Sequence, residues 1–303
     1  MSDPNNTNQE PATKKAAAKP RRWRRRLGHG TLGVLGGVAL VALASCIHLP
    51  RHNPAYPATN AEIDSAIQAM QEAPTGVERP VLVLSGWRSP PLTGHQLAKR
   101  IRDLTGADQD QVLAIGYVWG SDIPAIADQV ALRAADEFGS VVDPVTGDRR
   151  TVEIDVVAIS MGGLVARTAS AEPARVGRAE PLRMDIHTLY TLGTPHRGAR
   201  LANWIRLDDA SRQMQAGSHF LTTLDQATLN TPQGPAIVPY ATLRDSWVGA
   251  TNAAPNGQDP IWVPGRLVLS HHLISLDERI LADLARRLRG EPPLAEPSAP
   301  PRN

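Results

Sequence analysis

Short, continuous apolar runs divide the middle of the chain, and turn residues separate them. Runs of this kind, without polar alternation, are typical of strands that are buried on both faces of a parallel sheet. Pro239 weakens one of these strands, because proline cannot donate a hydrogen bond to a strand ladder. The pattern predicts six strands, at residues 80–87, 112–119, 152–159, 186–192, 236–243 and 266–269.

Helical spacing of apolar residues fills the intervals between these runs. It predicts helices over residues 93–104 and 123–138 and a final helix over 275–290. In the final helix, Ser275 and Glu278 match a capping box and Gly290 supplies a stop. Its apolar face is predicted from Leu276, Ile280, Leu284 and Leu288. Strands that alternate with helices indicate an α/β fold, with a mostly parallel sheet covered by helices on both faces.

Length and composition limit the possible domain size, partners and cofactors. The chain has 303 residues, of which 42% are hydrophobic, enough for one domain of about 200–250 residues, predicted here over 61–290. The formal net charge of +2 argues against nucleic acid as the main partner. The single cysteine, Cys46, excludes an internal disulfide and a cysteine-based zinc site, and the histidine spacing offers no ligand pair. We therefore expect neither a metal nor a cofactor.

Residues 1–45 have the three parts of a secretory signal. Arginines come first, an apolar stretch of 12 residues runs from Leu32 to Leu43, and the small residues Ala44 and Ser45 follow. The apolar stretch is shorter than the roughly 20 residues that a helix needs to cross a bilayer. The sequence Leu-Ala-Ser-Cys that ends at Cys46 resembles the lipobox of bacterial lipoproteins. That resemblance implies cleavage before Cys46, lipid on its thiol, and a protein held on a membrane of the cell envelope. An uncleaved single-pass anchor is the alternative.

Two proline-rich segments flank the predicted domain. Residues 46–60 indicate a tether, and residues 291–303 indicate a disordered tail with too little apolar content to pack.

The third predicted strand runs directly into Ser160, and Gly162 and Gly163 open a helix after it. A serine on such a sharp strand-to-helix turn holds its hydroxyl above the edge of the sheet, with the amide of Met161 pointing to the same spot. A serine before two glycines is also a common plain turn, so this motif alone leaves the role of Ser160 open.

A serine is a weak nucleophile unless a base, itself oriented by an acid, activates it. Asp245 follows the fifth predicted strand and His271 follows the sixth, so both are expected at the carboxyl edge of the sheet, near Ser160. The order serine, aspartate, histidine is also the one used on this type of sheet. His272 competes with His271, which comes first after the strand. Asp259 is the nearest substitute for Asp245.

Acyl transfer also needs two amide donors for the oxyanion. We expect one from Met161, directly after the serine. The second is expected from Trp87, since the turn after the first strand reads Ser85-Gly86-Trp87 and a glycine there lets the backbone approach substrate. The alternative is that Gly86 only ends the strand.

Taken together, these motifs resemble those of α/β-hydrolases of the bacterial lipase and esterase kind and of the GPI inositol-deacylase-like group. The stretch 189–204, with its Gly-Thr-Pro-His-x-Gly turn, and the stretch 217–225 add to the likeness, which spans residues 80–289. Ala158 stands where glycine is common, and Ser85 stands where lipases usually have histidine. The resemblance implies an α/β-hydrolase fold. It also implies a structural role for His196 at the pocket rim, because the family places its base near the end of the chain.

The segment 199–233 lies between two predicted strands and carries apolar residues at helical spacing. These are Leu201, Trp204, Ile205, Leu207, Met214, Phe220 and Leu221. The segment is either a lid over Ser160 or a set of ordinary core-facing helices.

The function that the resemblance implies is hydrolysis of carboxylic esters, of lipids or other acyl compounds, through Ser160, Asp245 and His271. An acyltransferase with the same three residues is an alternative. A binding protein on a hydrolase scaffold is another, since a fold does not fix a function. The sequence leaves the oligomeric state open.

Overall fold

A parallel sheet of six strands forms the centre of the computed structural model, in the order β2-β1-β5-β7-β8-β9. The residues that the structure describes are 56–117, 121–144, 147–171, 182–204, 207–228, 234–266 and 269–299. The six strands are β1 (Val81–Leu84), β2 (Val112–Ile115), β5 (Ile154–Ile159), β7 (Ile186–Leu192), β8 (Ala236–Thr242) and β9 (Ile261–Val263). All five pairings between them are parallel.

Seven α-helices accompany the strands in the described part of the chain. They are α1 (Asn60–Glu72), α2 (Pro91–Thr105), α3 (Ile123–Phe138), α4 (Gly162–Ala171), α5 (Asp209–Gln213), α6 (His219–Thr228) and α7 (Glu278–Leu288). Two apolar clusters lie between helices and sheet. Leu82 and Leu84 belong to the cluster with α3 and α4, whereas Val81 and Val83 belong to the cluster with α1, α2 and α7. Alternate residues of β1 thus face opposite layers of helices, as the continuous apolar run predicted.

A second, three-stranded sheet was not predicted. It contains β3 (Ser140–Val142), β4 (Arg149–Thr151) and β6 (Leu182–Arg183) in the order β3-β4-β6. These strands have only two or three residues each, and several of those residues are charged. They are therefore too short to show an alternation of apolar and polar residues in the sequence.

Pro239 lies inside β8 without breaking it. It pairs with Thr191 of β7, whereas β9 pairs only with the residues Tyr240–Thr242. Pro239 therefore has a paired strand on one side only. Proline is tolerated at such a position, as it is in an edge strand.

The prediction of a sixth strand at 266–269 was wrong. The strand at that edge of the sheet is Ile261–Val263, and Arg266 and Leu269 lie outside any strand, while 267 and 268 fall outside the described residues. His271 is consequently on the long connection between β9 and α7.

The predicted capping box of the final helix was also wrong. Asp277 is the N-cap, and its side chain accepts from the amide of Arg279. Ser275 and Leu276 belong instead to a preceding 3₁₀ turn, Ile274–Leu276, and Leu276 is exposed. The remaining predicted face, Ile280, Leu284 and Leu288, is buried against the sheet.

The described part of the predicted tail is bonded to the core. Oδ1 of the buried Asp283 accepts from the amides of Leu294 and Ala295, at 2.6 and 3.0 Å. The indole of Trp262 donates to the carbonyl of Ser298. This segment is therefore held by hydrogen bonds that its composition does not reveal, and residues 300–303 fall outside the described part.

The end of the predicted tether is likewise bonded to the core. Tyr56 is buried, and its hydroxyl donates to the carbonyl of Arg279, 3.1 Å away. Thr59 and Glu62 form a capping box that starts α1. Residues 1–55, including Cys46 and the predicted signal, lie outside the described residues. Within the described part of the chain, no helix has the length and apolar character needed to cross a membrane.

Candidate active site

Ser160 lies on a sharp turn between β5 and α4, with a φ of 52°. This left-handed conformation is uncommon for a residue with a side chain, so the surroundings must hold it. The amide of Ser160 donates to the carbonyl of Leu192, 2.9 Å away, and the Thr194 hydroxyl donates to the Ser160 carbonyl at 2.7 Å. The amide and the carbonyl of Ser160 are thus held by the end of the neighbouring strand, β7, and by the turn that follows it.

Small residues are needed around the turn. A Cβ atom at Gly162 would lie 2.7 Å from the carbonyl oxygen of Ser85. A Cβ at Gly163 would overlap Thr194. Ala158 is fully buried, between Leu84 of β1 and Thr191 of β7. The helix after Ser160 therefore passes β1 at a distance that only glycine permits.

Three side chains from separate parts of the chain meet at this turn. Nε2 of His271 lies 2.9 Å from Oγ of Ser160, and Nδ1 of His271 lies 2.7 Å from Oδ2 of Asp245. Because a carboxylate can only accept, Nδ1 carries the proton and Nε2 is left to accept from the serine hydroxyl. The structure thus brings together Ser160, Asp245 and His271 in one hydrogen-bonded series.

Asp245 is buried and fully hydrogen-bonded. Its Oδ1 accepts from the amides of Trp247 and Val248, at 3.0 and 2.8 Å. Burial raises the pKa of the Asp245 carboxyl, but the charge and hydrogen bond of His271 and the two amides more than offset this, so the pKa lies below its ordinary value. Asp245 is therefore ionised at neutral pH.

An aromatic side chain that the sequence analysis did not single out covers the imidazole. The indole of Trp247 stacks on His271 with ring centroids 5.9 Å apart and planes 6° from parallel. His272 meets the same indole edge-on at 4.3 Å. The Trp247 ring therefore restricts the orientation of His271, a role that only three-dimensional packing reveals.

The alternatives to these residues occupy different places. Among the described contacts, His272 makes none with Ser160; it is an exposed residue in the wall of the cavity beside the serine. Asp259 is exposed. His196 is buried, where Arg167 donates to its Nδ1 and Thr191 contacts its Nε2. His196 thus packs beneath the site and not at the pocket rim, where it was expected. Its neighbour Pro195 lines the cavity.

The two predicted oxyanion donors flank Ser160. Met161 follows it in the chain, and Trp87 lines the same cavity. A Cβ at Gly86 would lie 3.1 Å from Cβ of Ser160, so the turn before Trp87 approaches the serine closely. Among the described residues, the amides of Trp87 and Met161 donate to no other group of the chain. Ser85, by contrast, is buried and does not line the cavity.

A cavity of about 330 Å³ opens above Ser160. Its wall is largely apolar and includes Ile159, Leu201, Ala202, Met214 and Val248. This volume falls in the range of small-molecule sites.

The segment 199–233 contributes residues both to the cavity wall and to the core, and its role as a lid stays a prediction. Ala199, Leu201, Ala202 and Met214 line the cavity. Leu221 and Leu224 of α6 are buried in the core. Trp204 and Leu207 are exposed, and residues 205–206 and 229–233 fall outside the described part.

Within the described residues, no group of His, Cys, Asp or Glu is arranged to hold a metal ion.

Comparisons with known proteins yield structural neighbours only. No family model matches the chain. No curated protein matches it either. The lipase BlEst2 of Bacillus licheniformis in its propeptide form is similar over 75% of this chain and 54% of that chain, with 16% identity and a TM-score of 0.52. Its mature form gives a TM-score of 0.47 at 16% identity, over 69% of this chain and 94% of that one. Phospholipase PlaB of Legionella pneumophila gives 0.38 at 15% identity, over 53% and 38%.

The class of fold follows from the sheet and from the similarity to the propeptide form of BlEst2. A parallel six-stranded sheet between two layers of helices, with that similarity, defines an α/β-hydrolase fold. The predicted fold class is confirmed. At 16% identity the likeness concerns the fold alone.

Proposed function

We propose that the protein is a serine hydrolase that cleaves carboxylic esters of lipids or other acyl compounds. The observation that carries the proposal is the series from Ser160 through His271 to Asp245 at the bottom of an apolar cavity. A hydroxyl hydrogen-bonded to an imidazole, which is in turn held by a buried carboxylate, is the arrangement that activates serine for attack on a carbonyl.

In the first half of the reaction, Oγ of Ser160 attacks the ester carbonyl carbon while Nε2 of His271 takes the hydroxyl proton. The carbonyl oxygen becomes an oxyanion, which the amides of Met161 and Trp87 stabilise. The carbon–oxygen bond to the alcohol then breaks, and the alcohol leaves with the proton from His271. The acyl group remains on Ser160.

In the second half, water attacks the acyl carbon and gives its proton to His271. The bond to Oγ breaks, Ser160 recovers the proton, and the carboxylic acid is released. Asp245 keeps the imidazole in the required tautomer and stabilises its protonated form. Its lowered pKa supports this role, since the carboxyl stays charged throughout.

The proposed substrate class rests on the cavity wall. Its apolar residues suit an acyl chain, whose transfer from water is favourable by about 0.8 kcal/mol for each buried methylene. The fold likeness to the lipase BlEst2 agrees with such a substrate.

We also propose that the domain is held at a membrane of the cell envelope through lipid on Cys46. The support is the signal-like sequence of residues 1–45 and the four residues that end at Cys46. Cys46→Ala should abolish incorporation of labelled fatty acid and release the protein from the membrane fraction. A wild-type protein that takes up no fatty acid contradicts the lipid attachment, and the single-pass anchor then accounts for membrane retention.

The activity is tested with p-nitrophenyl esters of graded acyl length, comparing wild type with Ser160→Ala. We expect hydrolysis by the wild type and a loss of about 10⁴-fold or more in the variant. Equal activity of both proteins contradicts the role of Ser160. Adding a primary alcohol separates the alternatives: a transferase yields a new ester as the main product, and a binding protein turns over no ester.

A further inference from the structure

One carboxylate of the segment 199–233 reaches the turn that carries the proposed oxyanion donor. Oδ2 of Asp208 accepts from the indole nitrogen of Trp87, 3.1 Å away, and from Nη2 of Arg88, 3.2 Å away. The two sides of this contact are about 120 positions apart in the chain. The oxyanion turn, residues 86–89, is therefore tied to a distant segment by a charged group.

The two oxygens of Asp208 have separate tasks. Oδ1 accepts from the amide of Ser211 at 2.9 Å, as the N-cap of α5. The Ser211 hydroxyl closes the capping box by accepting from the Asp208 amide at 3.0 Å. The Asp208 side chain is only 9% exposed. Oδ2 is thereby left free to hold the oxyanion turn from a fixed position.

The oxyanion turn needs such a hold. Arg88 has a φ of 51°, a conformation that costs free energy unless its surroundings fix it. Its guanidinium also lies 5.1 Å from the centroid of the Trp87 ring, so Asp208 binds an Arg–Trp pair rather than two independent side chains. At Gly86 the turn approaches Ser160 so closely that small displacements change the geometry at the serine.

The start of the same segment is bonded to the turn that holds Asp245, residues 245–248, which we call the acid turn. The amide of Leu201 donates to the carbonyl of Trp247 at 2.9 Å, and the amide of Arg200 donates to the carbonyl of Val248 at 3.2 Å. These carbonyls belong to the two residues whose amides hold Asp245. The segment thus connects both sides of the site.

We propose that Asp208 is a positioning residue that holds the oxyanion turn and so aims the amide of Trp87 at the reacting carbonyl. The inference rests on the proposed ester hydrolysis. It makes the segment 199–233 a part of the catalytic geometry in addition to a wall of the cavity.

Asp208→Asn tests the inference while keeping the helix cap. The amide oxygen of asparagine can still accept from Ser211, but its NH₂ group then faces the donors of Trp87 and Arg88. We expect kcat for p-nitrophenyl butyrate to fall by about 10-fold to 100-fold, with KM within about twofold, because only transition-state stabilisation is lost. The matched control is Asp209→Asn, which removes an exposed neighbouring carboxylate that pairs with Arg212.

Trp87→Phe supplies a second test that leaves the cap untouched. It removes the indole donor and keeps the backbone amide. It should also lower kcat. Adding Asp208→Asn to Trp87→Phe should lower kcat by a smaller factor than Asp208→Asn does in the wild type, because the two changes break the same contact.

A trifluoromethyl ketone inhibitor separates positioning from a general structural effect. Ser160 adds to its carbonyl and forms a tetrahedral oxyanion, so its affinity should fall by the same factor as kcat/KM, at an unchanged Tm. If Asp208→Asn matches Asp209→Asn in kcat and in inhibitor affinity, or if KM alone rises, the inference is wrong. The proposed function fails separately, when the wild type hydrolyses no ester.

Discussion

Nε2 of His271 lies 2.9 Å from Oγ of Ser160, although 111 positions separate the two residues. The serine belongs to a turn fixed by the sheet, and the histidine lies on a long connection after β9. Two elements hold the imidazole in reach: the carboxylate of Asp245 on one edge and the indole of Trp247 on one face. The contact between His271 and Ser160 thus depends on Asp245 and Trp247 as much as on the histidine itself.

The two adjacent histidines should differ sharply in function. His271→Gln removes the base and should lower kcat by about 10⁴-fold or more. His272→Gln changes only a wall of the cavity and should alter kcat/KM by about tenfold at most. Steady-state hydrolysis of p-nitrophenyl butyrate by both variants checks this. A larger loss in His272→Gln than in His271→Gln contradicts the assignment.

Asp245→Asn should leave the fold intact and lower kcat by about 10⁴-fold, because an amide at this position favours the wrong imidazole tautomer. Asp259→Asn, which neutralises the exposed alternative acid, is the control and should keep wild-type kcat. Circular dichroism establishes that both variants are folded before their rates are compared. Loss of activity in the Asp259 variant alone reverses the two assignments.

The sequence was sufficient for five of the six strands of the central sheet and for the placement of Ser160 and Asp245 at its edge, for a physical reason. Continuous apolar runs mark strands that are buried on both faces, and parallel strands bring their carboxyl ends to one edge. Ser160 and Asp245 were expected there on that basis, and the structure has them within reach of one imidazole.

What the sequence could not provide depends on tertiary packing. The strand Ile261–Val263 is a run of three apolar residues, too short for periodicity to separate it from residues 266–269. The segment after α7 packs because the buried Asp283 binds its amides, and Asp208 holds Trp87 across about 120 positions. No local pattern encodes these contacts.

If the proposed ester hydrolysis holds, the cavity wall should set the acyl length that the protein accepts. Ala202 is buried and lines the cavity of about 330 Å³, so Ala202→Phe fills space that a long chain would occupy. We expect kcat/KM for octanoate and longer esters to fall by about tenfold relative to acetate, with acetate hydrolysis serving as the internal control. An unchanged chain-length profile means that the acyl chain binds elsewhere.

His196 should make the stability of the fold depend on pH. Burial, together with the charges of Arg167 and Arg197, lowers the pKa of His196 well below its ordinary value. The unfolded chain therefore binds a proton below about pH 6.5 that the folded chain does not bind, so the free energy of unfolding falls as the pH falls. The contribution of this group is at most about 1.4 kcal/mol per pH unit.

Urea unfolding between pH 5 and 8 measures that slope. His196→Gln cannot take up the proton and should show a shallower decrease toward acid pH than the wild type. Its absolute stability should also drop, since Arg167 loses a hydrogen-bond partner, but the slope is the informative quantity. Equal slopes for both proteins contradict a buried, neutral His196.

The central claim, that the hydroxyl at 160 is an activated nucleophile, is tested most directly by covalent labelling. A fluorophosphonate should react with the wild-type protein with loss of fluoride, and peptide mass spectrometry should locate the adduct on Ser160. The labelling should disappear in Ser160→Ala and slow by orders of magnitude in His271→Gln. A folded wild-type protein that stays unlabelled, or one labelled at another residue, contradicts the account.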